Sequence, residues 1–163
     1  MSKDSGGVRL SVLDRLLDDA PREPRAGTVS WDASPEAFKR AFLRDLEWLL
    51  NTRRVAEPAP ELYPLLERSL YHFGIPDVTS LSADSPDAHL RLARDIEECL
   101  RTFEPRLSSP RVSVAPMDEN GGRSVRFLID AVLRMDPLSE RIVVDTLLET
   151  STGQFRVSGD EHA

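Results

Sequence analysis

Val112-Ser113-Val114-Ala115, then Asn120-Gly121-Gly122, then Val125-Arg126-Phe127-Leu128-Ile129-Asp130-Ala131 is the stretch that decides the fold. Val112 and Val114 alternate with Ser113 and Ala115, and Val125, Phe127, Ile129 and Ala131 alternate with Arg126, Leu128 and Asp130. A period of two lays one set of side chains on a buried face and the other on the opposite face of a strand. Asn120-Gly121-Gly122 supplies the positive-φ residues of a tight hairpin, so the two runs are predicted to pair antiparallel. Downstream, Arg141 to Leu148 is β-branched and apolar, and Thr150-Ser151-Thr152-Gly153 turns the chain into a short last strand around Phe155 and Val157. The C-terminal part therefore reads as a meander of three or four strands.

Upstream the period changes to that of helices. Ser85-Pro86-Asp87 opens a long helix with Leu90, Ala93, Ile96, Leu100 and Phe103 at spacings of three and four. It has to stop near Glu104, because Pro105 disfavours helical geometry in the residue before it. Ser34-Pro35-Glu36 opens another, running to Thr52, with Phe38, Phe42, Leu46 and Leu49 on one stripe and Leu43 and Leu50 beside it. Between the helices, Pro58, Pro60 and Pro64 exclude a long helix, and Leu65 to Phe73 is a short apolar element stopped by Gly74-Ile75-Pro76. This middle stretch is expected to wrap the core as turns and short helices. Helices first and an antiparallel meander last define the α+β class.

Residues 1–9 read as disordered, and Leu10, Leu13 and Leu17 then repeat at helical spacing before the breaker cluster Pro21-Arg22-Glu23-Pro24-Arg25-Ala26-Gly27. The expected organisation is a flexible segment over 1–30 with a short amphipathic helix and linker, one α+β domain over 31–158, and a polar tail over 159–163. The leucine-bearing helix either folds back onto the core or docks on another subunit, and Leu13, Leu16 and Leu17 are its candidate docking face.

The 163 residues carry 21 basic and 28 acidic side chains, a formal charge of −7, in a globular balance of 40% hydrophobic and 30% charged. One domain of this size buries enough surface to fold without disulfides or metal. No long uncharged apolar run is present and the first ten residues resemble no secretory signal, so a membrane span is not expected and the cytoplasm is the expected compartment. The densest basic run, Arg53-Arg54, lacks interleaved aromatics, which argues against nucleic acid. His72, His89 and His162 lie far apart without ligand spacing, so no metal is expected, and composition points to no other ligand or cofactor. Cys99, the single cysteine, sits in the second helix pattern and reads as a packed thiol.

Glu-Pro-Arg occurs twice, at Glu23-Pro24-Arg25 in the linker and at Glu104-Pro105-Arg106 where the second helix ends. In the second copy the proline fixes the chain direction, so both charges leave a rigid corner. Asp45 to Arg54 is a helix end with Trp48, which reads as a core aromatic, and two arginines suited to the helix dipole. Asp130 and Asp145 are either exposed strand charges or partners of arginines across the sheet. Among the carboxylates no pair stands out for glycoside hydrolysis, and no nucleophile elbow, phosphate loop or Cys/His pairing appears.

Taken in order, Ser11 to Leu16, Arg44 to Arg54, Ser69 to Asp77, Phe103 to Leu107 and Asp145 to Glu149 resemble the TssE family of type VI secretion baseplate subunits, and with it the lysozyme-related wedge proteins of contractile phage baseplates. The resemblance implies a structural subunit that links the baseplate wedge to the contractile sheath and primes sheath assembly, with no enzymatic activity. It implies wedge partners TssF, TssG and TssK, sheath partners TssB and TssC, no nucleic acid, no membrane insertion, and a place at the inner face of the cell envelope. Glu104, Pro105 and Arg106 are then the wedge contact, with both charges exposed on the free subunit, and the sheet is the docking template for sheath subunits. One sheet edge, around Val112 or around Phe155, is expected to accept a strand from the sheath. The alternative is a lysozyme-like hydrolase acting on peptidoglycan.

Overall fold

The computed structural model describes residues 8–9, 32–79, 85–116, 124–135 and 138–159. Leu13, Leu16 and Leu17, the linker with its Glu-Pro-Arg copy, the Asn120-Gly121-Gly122 turn and the tail from 160 onward lie outside the described residues. The elements are β1 (Val8–Arg9), β2 (Asp32–Ala33), α1 (Pro35–Asn51), two 3₁₀ turns (Pro64–Arg68 and Leu70–His72), α2 (Pro86–Phe103), β3 (Leu107–Val114), β4 (Ser124–Met135), β5 (Leu138–Glu149) and β6 (Gln154–Gly159). β1 and β2 form a two-residue antiparallel pair. That pair brings together the two ends of a long chain segment, which no local periodicity announces.

β3, β4, β5 and β6 form one sheet in chain order, every neighbour antiparallel, which is the expected α+β meander in its four-stranded form. Along β4, Val125, Phe127, Ile129, Ala131, Leu133 and Met135 are all buried, meeting Val144 and Leu148 of β5 and Phe155 of β6 in one core. The opposite face carries two diagonal ion pairs, Arg126 with Asp145 and Arg141 with Asp130. Both aspartates thus pair with arginines across the sheet, and hydrogen bonds from Arg141 hold the Asp130 carboxyl below its usual range.

Both helices start as their sequences dictate. Ser34 accepts from the Ala37 N–H at 3.2 Å and Ser85 from the Ala88 N–H at 3.4 Å, each with proline at the first turn. α1 buries Phe38, Phe42, Leu46, Leu49 and Leu50 and lies along β6; α2 buries Leu92, Ala93, Ile96, Cys99 and Leu100 and lies along β3. Leu90, placed on the α2 stripe by spacing, is exposed, and Leu92 is buried in its stead. The apolar arc is rotated because Leu92 and Cys99 lie on its other flank. Cys99 is a packed thiol: its Sγ lies 3.2 Å from the Gly74 carbonyl, and burial pushes its pKa up to about 11.

After α1 the chain turns out and comes back to its own helix end. The Arg54 N–H donates to the Ile75 carbonyl at 2.9 Å, and the Ile75 N–H to the Thr52 carbonyl at 3.0 Å. Gly74 stands at this closure with φ +103°, where a Cβ would fall on the Thr52 carbonyl. Gly74→Ala is expected to cost about 3 kcal/mol or more, from left-handed strain plus a clash with backbone that cannot swing aside. Denaturant unfolding checks this; a loss under about 1 kcal/mol contradicts the closure as drawn.

Candidate protein-interaction surface

The Glu104-Pro105-Arg106 corner joins three elements. Pro105 follows the last α2 turn, whose closing bond is the Glu104 N–H to the Leu100 carbonyl at 3.0 Å, and two residues later β3 begins. Arg106 places Nε 2.6 Å from Glu104 Oε1 and Nη2 2.7 Å from Glu104 Oε2, the parallel fork that guanidinium and carboxylate geometry favours. Its Nη1 lies 3.1 Å from Asp45 Oδ2 on α1, and its Cζ stands 5.3 Å from the centre of the Phe42 ring. β4 pins the corner from behind: the Arg134 N–H donates to the Arg106 carbonyl at 2.8 Å, and the Arg134 side chain to the Pro105 carbonyl.

Glu104 is 6% exposed. The two charges of the corner are therefore not displayed on the surface as expected; they are folded inward onto each other and onto Asp45. A spacing of two residues across a proline corner lets the arginine turn back on the glutamate, which sequence spacing alone does not show. Burial works against the Arg106 charge, but the hydrogen bonds and charges of Glu104 and Asp45 outweigh it, and its pKa lies above the usual arginine value. Pro105 is exposed at the tip of the corner.

From Asp45 the network continues outward along α1. Arg44 donates to Asp45 Oδ1 through Nε at 3.1 Å and Nη2 at 2.7 Å, and its Cζ sits 4.9 Å from the centre of the Trp48 ring. Trp48 is 53% exposed, so it is a surface aromatic and not the core residue its type suggested. The α1 stripe is already filled by Leu46, Leu49 and Leu50, which leaves Trp48 on the outer face. A chain of contacts thus runs Glu104, Arg106, Asp45, Arg44, Trp48, from a buried carboxylate to an exposed indole. Arg53 serves the helix end as expected, donating to the Leu50 carbonyl at 3.1 Å, and also reaches the Gly153 carbonyl between β5 and β6.

Both sheet edges named by the sequence are covered by side chains of the adjacent helix. On β6, Asn51 donates to the Phe155 carbonyl and accepts from the Phe155 N–H, each at 2.9 Å, while the Val157 N–H points to Glu47 Oε2 at 3.4 Å. On β3, the Val112 N–H donates to Glu97 Oε2 at 3.0 Å, and a bulge between Ser108 and Arg111, with Ser109 at φ 51°, interrupts the ladder. Asn51, Glu47 and Glu97 were not legible as edge caps, because their partners are remote in sequence.

A cleft of about 330 Å³ opens between α2 and the segment after α1, lined by Arg54, Pro58, Glu67, His72, Glu98 and Cys99 among others. His72 Nε2 is buried there without a hydrogen-bond partner among the described residues. No group of three or more His, Cys, Asp or Glu among the described residues is arranged to hold a metal ion.

Two helices capped onto a four-stranded meander, with an ion-pair corner between them, make a small α+β module. A family model for the baseplate wedge protein gp25 matches residues 36–138, well over half of the chain, and the chain belongs to that family. It is also the family of TssE of type VI secretion, and the role it carries is a structural one in a baseplate. The match includes α1, α2, the Glu104-Pro105-Arg106 corner, β3 and β4. Comparison with curated proteins and with solved structures finds no match.

Arg106→Lys keeps the charge but cannot fork onto Glu104 while reaching Asp45, and is expected to cost about 2 kcal/mol of folding stability. Arg126→Lys, on the exposed pair of the outer face, is expected to cost at most about 0.5–1 kcal/mol. Equal effects in denaturant unfolding contradict the burial difference.

Proposed function

We propose that this chain is a structural baseplate subunit of a type VI secretion system that joins the baseplate wedge to the contractile sheath and primes sheath assembly. The family match over residues 36–138 carries the reading. The wedge partners are TssF, TssG and TssK, the sheath partners TssB and TssC, and the place of action is the cytoplasmic side of the cell envelope. Glu104 and Arg106 serve this role as positioning residues: locked together, they hold Asp45 and Arg44, and the contact with the wedge is made by Trp48, Arg44 and the exposed Pro105. Trp and Arg are the residues most often found to dominate interfaces, and a Trp held rigid before binding loses little entropy on docking. Toward the sheath, a donated strand exchanges its backbone groups for the side chains of Asn51 and Glu47 on β6, or of Glu97 on β3. One hydrogen bond replaces another and no unfolding is needed. Leu13, Leu16 and Leu17 serve as a further docking face.

The chain acts by binding, not turnover. In support, Asp45, Glu104, Asp130 and Asp145 each lie in an ion pair with an arginine. Among the described residues, Glu67 and Glu98 are the carboxylates that line the cleft. Reconstitution with purified wedge and sheath subunits tests the proposal. The native chain is expected to bind the wedge and shorten the lag of sheath polymerisation, and Trp48→Ala to weaken wedge binding by about tenfold or more. Sheath growth indifferent to the chain overturns the reading, as does peptidoglycan turnover that disappears in Glu67→Gln or Glu98→Gln.

A further inference from the structure

The segment between the helices carries apolar surface that no described part of the fold covers. Leu62 is 85% exposed, Leu65 82% and Leu70 85%, with Tyr63 beside them at 61%. Singly exposed leucines are ordinary, but three so bare within one short segment mark a contact surface. The backbone beneath is not loose. The Tyr63 N–H donates to the Pro60 carbonyl at 2.8 Å, the Leu66 N–H to the Tyr63 carbonyl at 2.9 Å, and the Ser69 N–H to the Leu66 carbonyl at 3.1 Å. Ser69 Oγ accepts from the Tyr71 N–H at 3.2 Å and so starts the second 3₁₀ turn. Neither turn contains a buried residue, so their internal hydrogen bonds hold the leucines out as a ridge.

Charge selects what covers that ridge. Glu57, Glu61 and Glu67 are all exposed along it, and between residues 55 and 73 the only Lys or Arg is Arg68. We propose that the ridge seats a basic amphipathic helix of a partner chain, its apolar stripe on Leu62, Leu65 and Leu70 and its Lys and Arg flanks against the three glutamates. An anionic membrane surface would be repelled by the same carboxylates, and a second copy would set three glutamates against three. Residues 10–19 of this chain hold Asp14, Asp18 and Asp19 against Arg15, so they too carry the wrong charge. The inference goes beyond the wedge and sheath reading and stands whether or not that reading holds.

The test uses the full chain and a fluorescein-labelled leucine–lysine peptide of helical periodicity, read by fluorescence anisotropy. Saturable binding is expected, weakened by about tenfold or more in Leu62→Ser/Leu65→Ser/Leu70→Ser and likewise in Glu57→Gln/Glu61→Gln/Glu67→Gln. The same peptide with glutamate in place of lysine is expected to bind at least about tenfold more weakly. Because these side chains are exposed, both triple variants should melt within about 2 °C of the parent. No binding to the full chain, unchanged affinity in the leucine variant, or equal binding of the acidic peptide overturns the proposal. A large loss of melting temperature in the leucine variant overturns it by placing the leucines in the core. Leucine-dependent dimerisation assigns the ridge to a second copy, and leucine-dependent sedimentation with phosphatidylglycerol vesicles assigns it to a membrane; either result overturns it too.

Discussion

The guanidinium of Arg106 is the point on which the structure turns. It satisfies both oxygens of a carboxylate that is almost wholly out of water, and it does so while touching α1 through Asp45 and Phe42. A buried ion pair often adds little net stability over an apolar pair of the same volume, because desolvation offsets attraction. Its effect is instead on which arrangement is allowed. With Glu104 and Arg106 locked together at the end of α2, a shift of α1 away from the corner costs Arg106 its contact with Asp45. That contact favours one setting of α1 against the corner, and through Asp45 it places Arg44 over the Trp48 ring.

A second constraint comes from the sheet. An open meander has two edges, and unpaired edges are a route to aggregation. Here each helix covers the edge it lies beside, Asn51 offering an amide that mimics a strand residue and Glu47 and Glu97 offering carboxylates. Side-chain caps differ from a covering strand in being released by rotation about a few bonds. An edge closed in this way is protected in the free subunit, and the strand addition proposed above asks only for that rotation.

What the sequence reveals and what it hides divides along physical lines. Helix starts at Ser34 and Ser85, the helix stop before Pro105 and the period-two strands are local signals, and all reappear in the fold. The burial of Glu104 is not local: it depends on an arginine folding back and on an aspartate one helix away. Trp48 misleads because aromatics are usually buried, whereas here the apolar arc of α1 is filled without it. Leu65 and Leu70 mislead too, since the short apolar element expected to wrap the core forms two turns that contain no buried residue. The baseplate family is legible only through the ordered motifs taken together, no single one of which points to a baseplate.

The most direct measurement is a double-mutant cycle on the corner, with unfolding free energies for the parent, Glu104→Leu, Arg106→Met and the pair. Arg106→Met strands the buried Glu104 carboxylate and is predicted to lose about 3–5 kcal/mol, Glu104→Leu loses less because Arg106 keeps Asp45, and the pair loses much less than the sum because Asp45 keeps Arg44. A coupling energy of about 2 kcal/mol or more is the predicted result. Losses that add to within about 0.5 kcal/mol would show that Glu104 and Arg106 act independently and that the corner is not what sets the helices on the sheet.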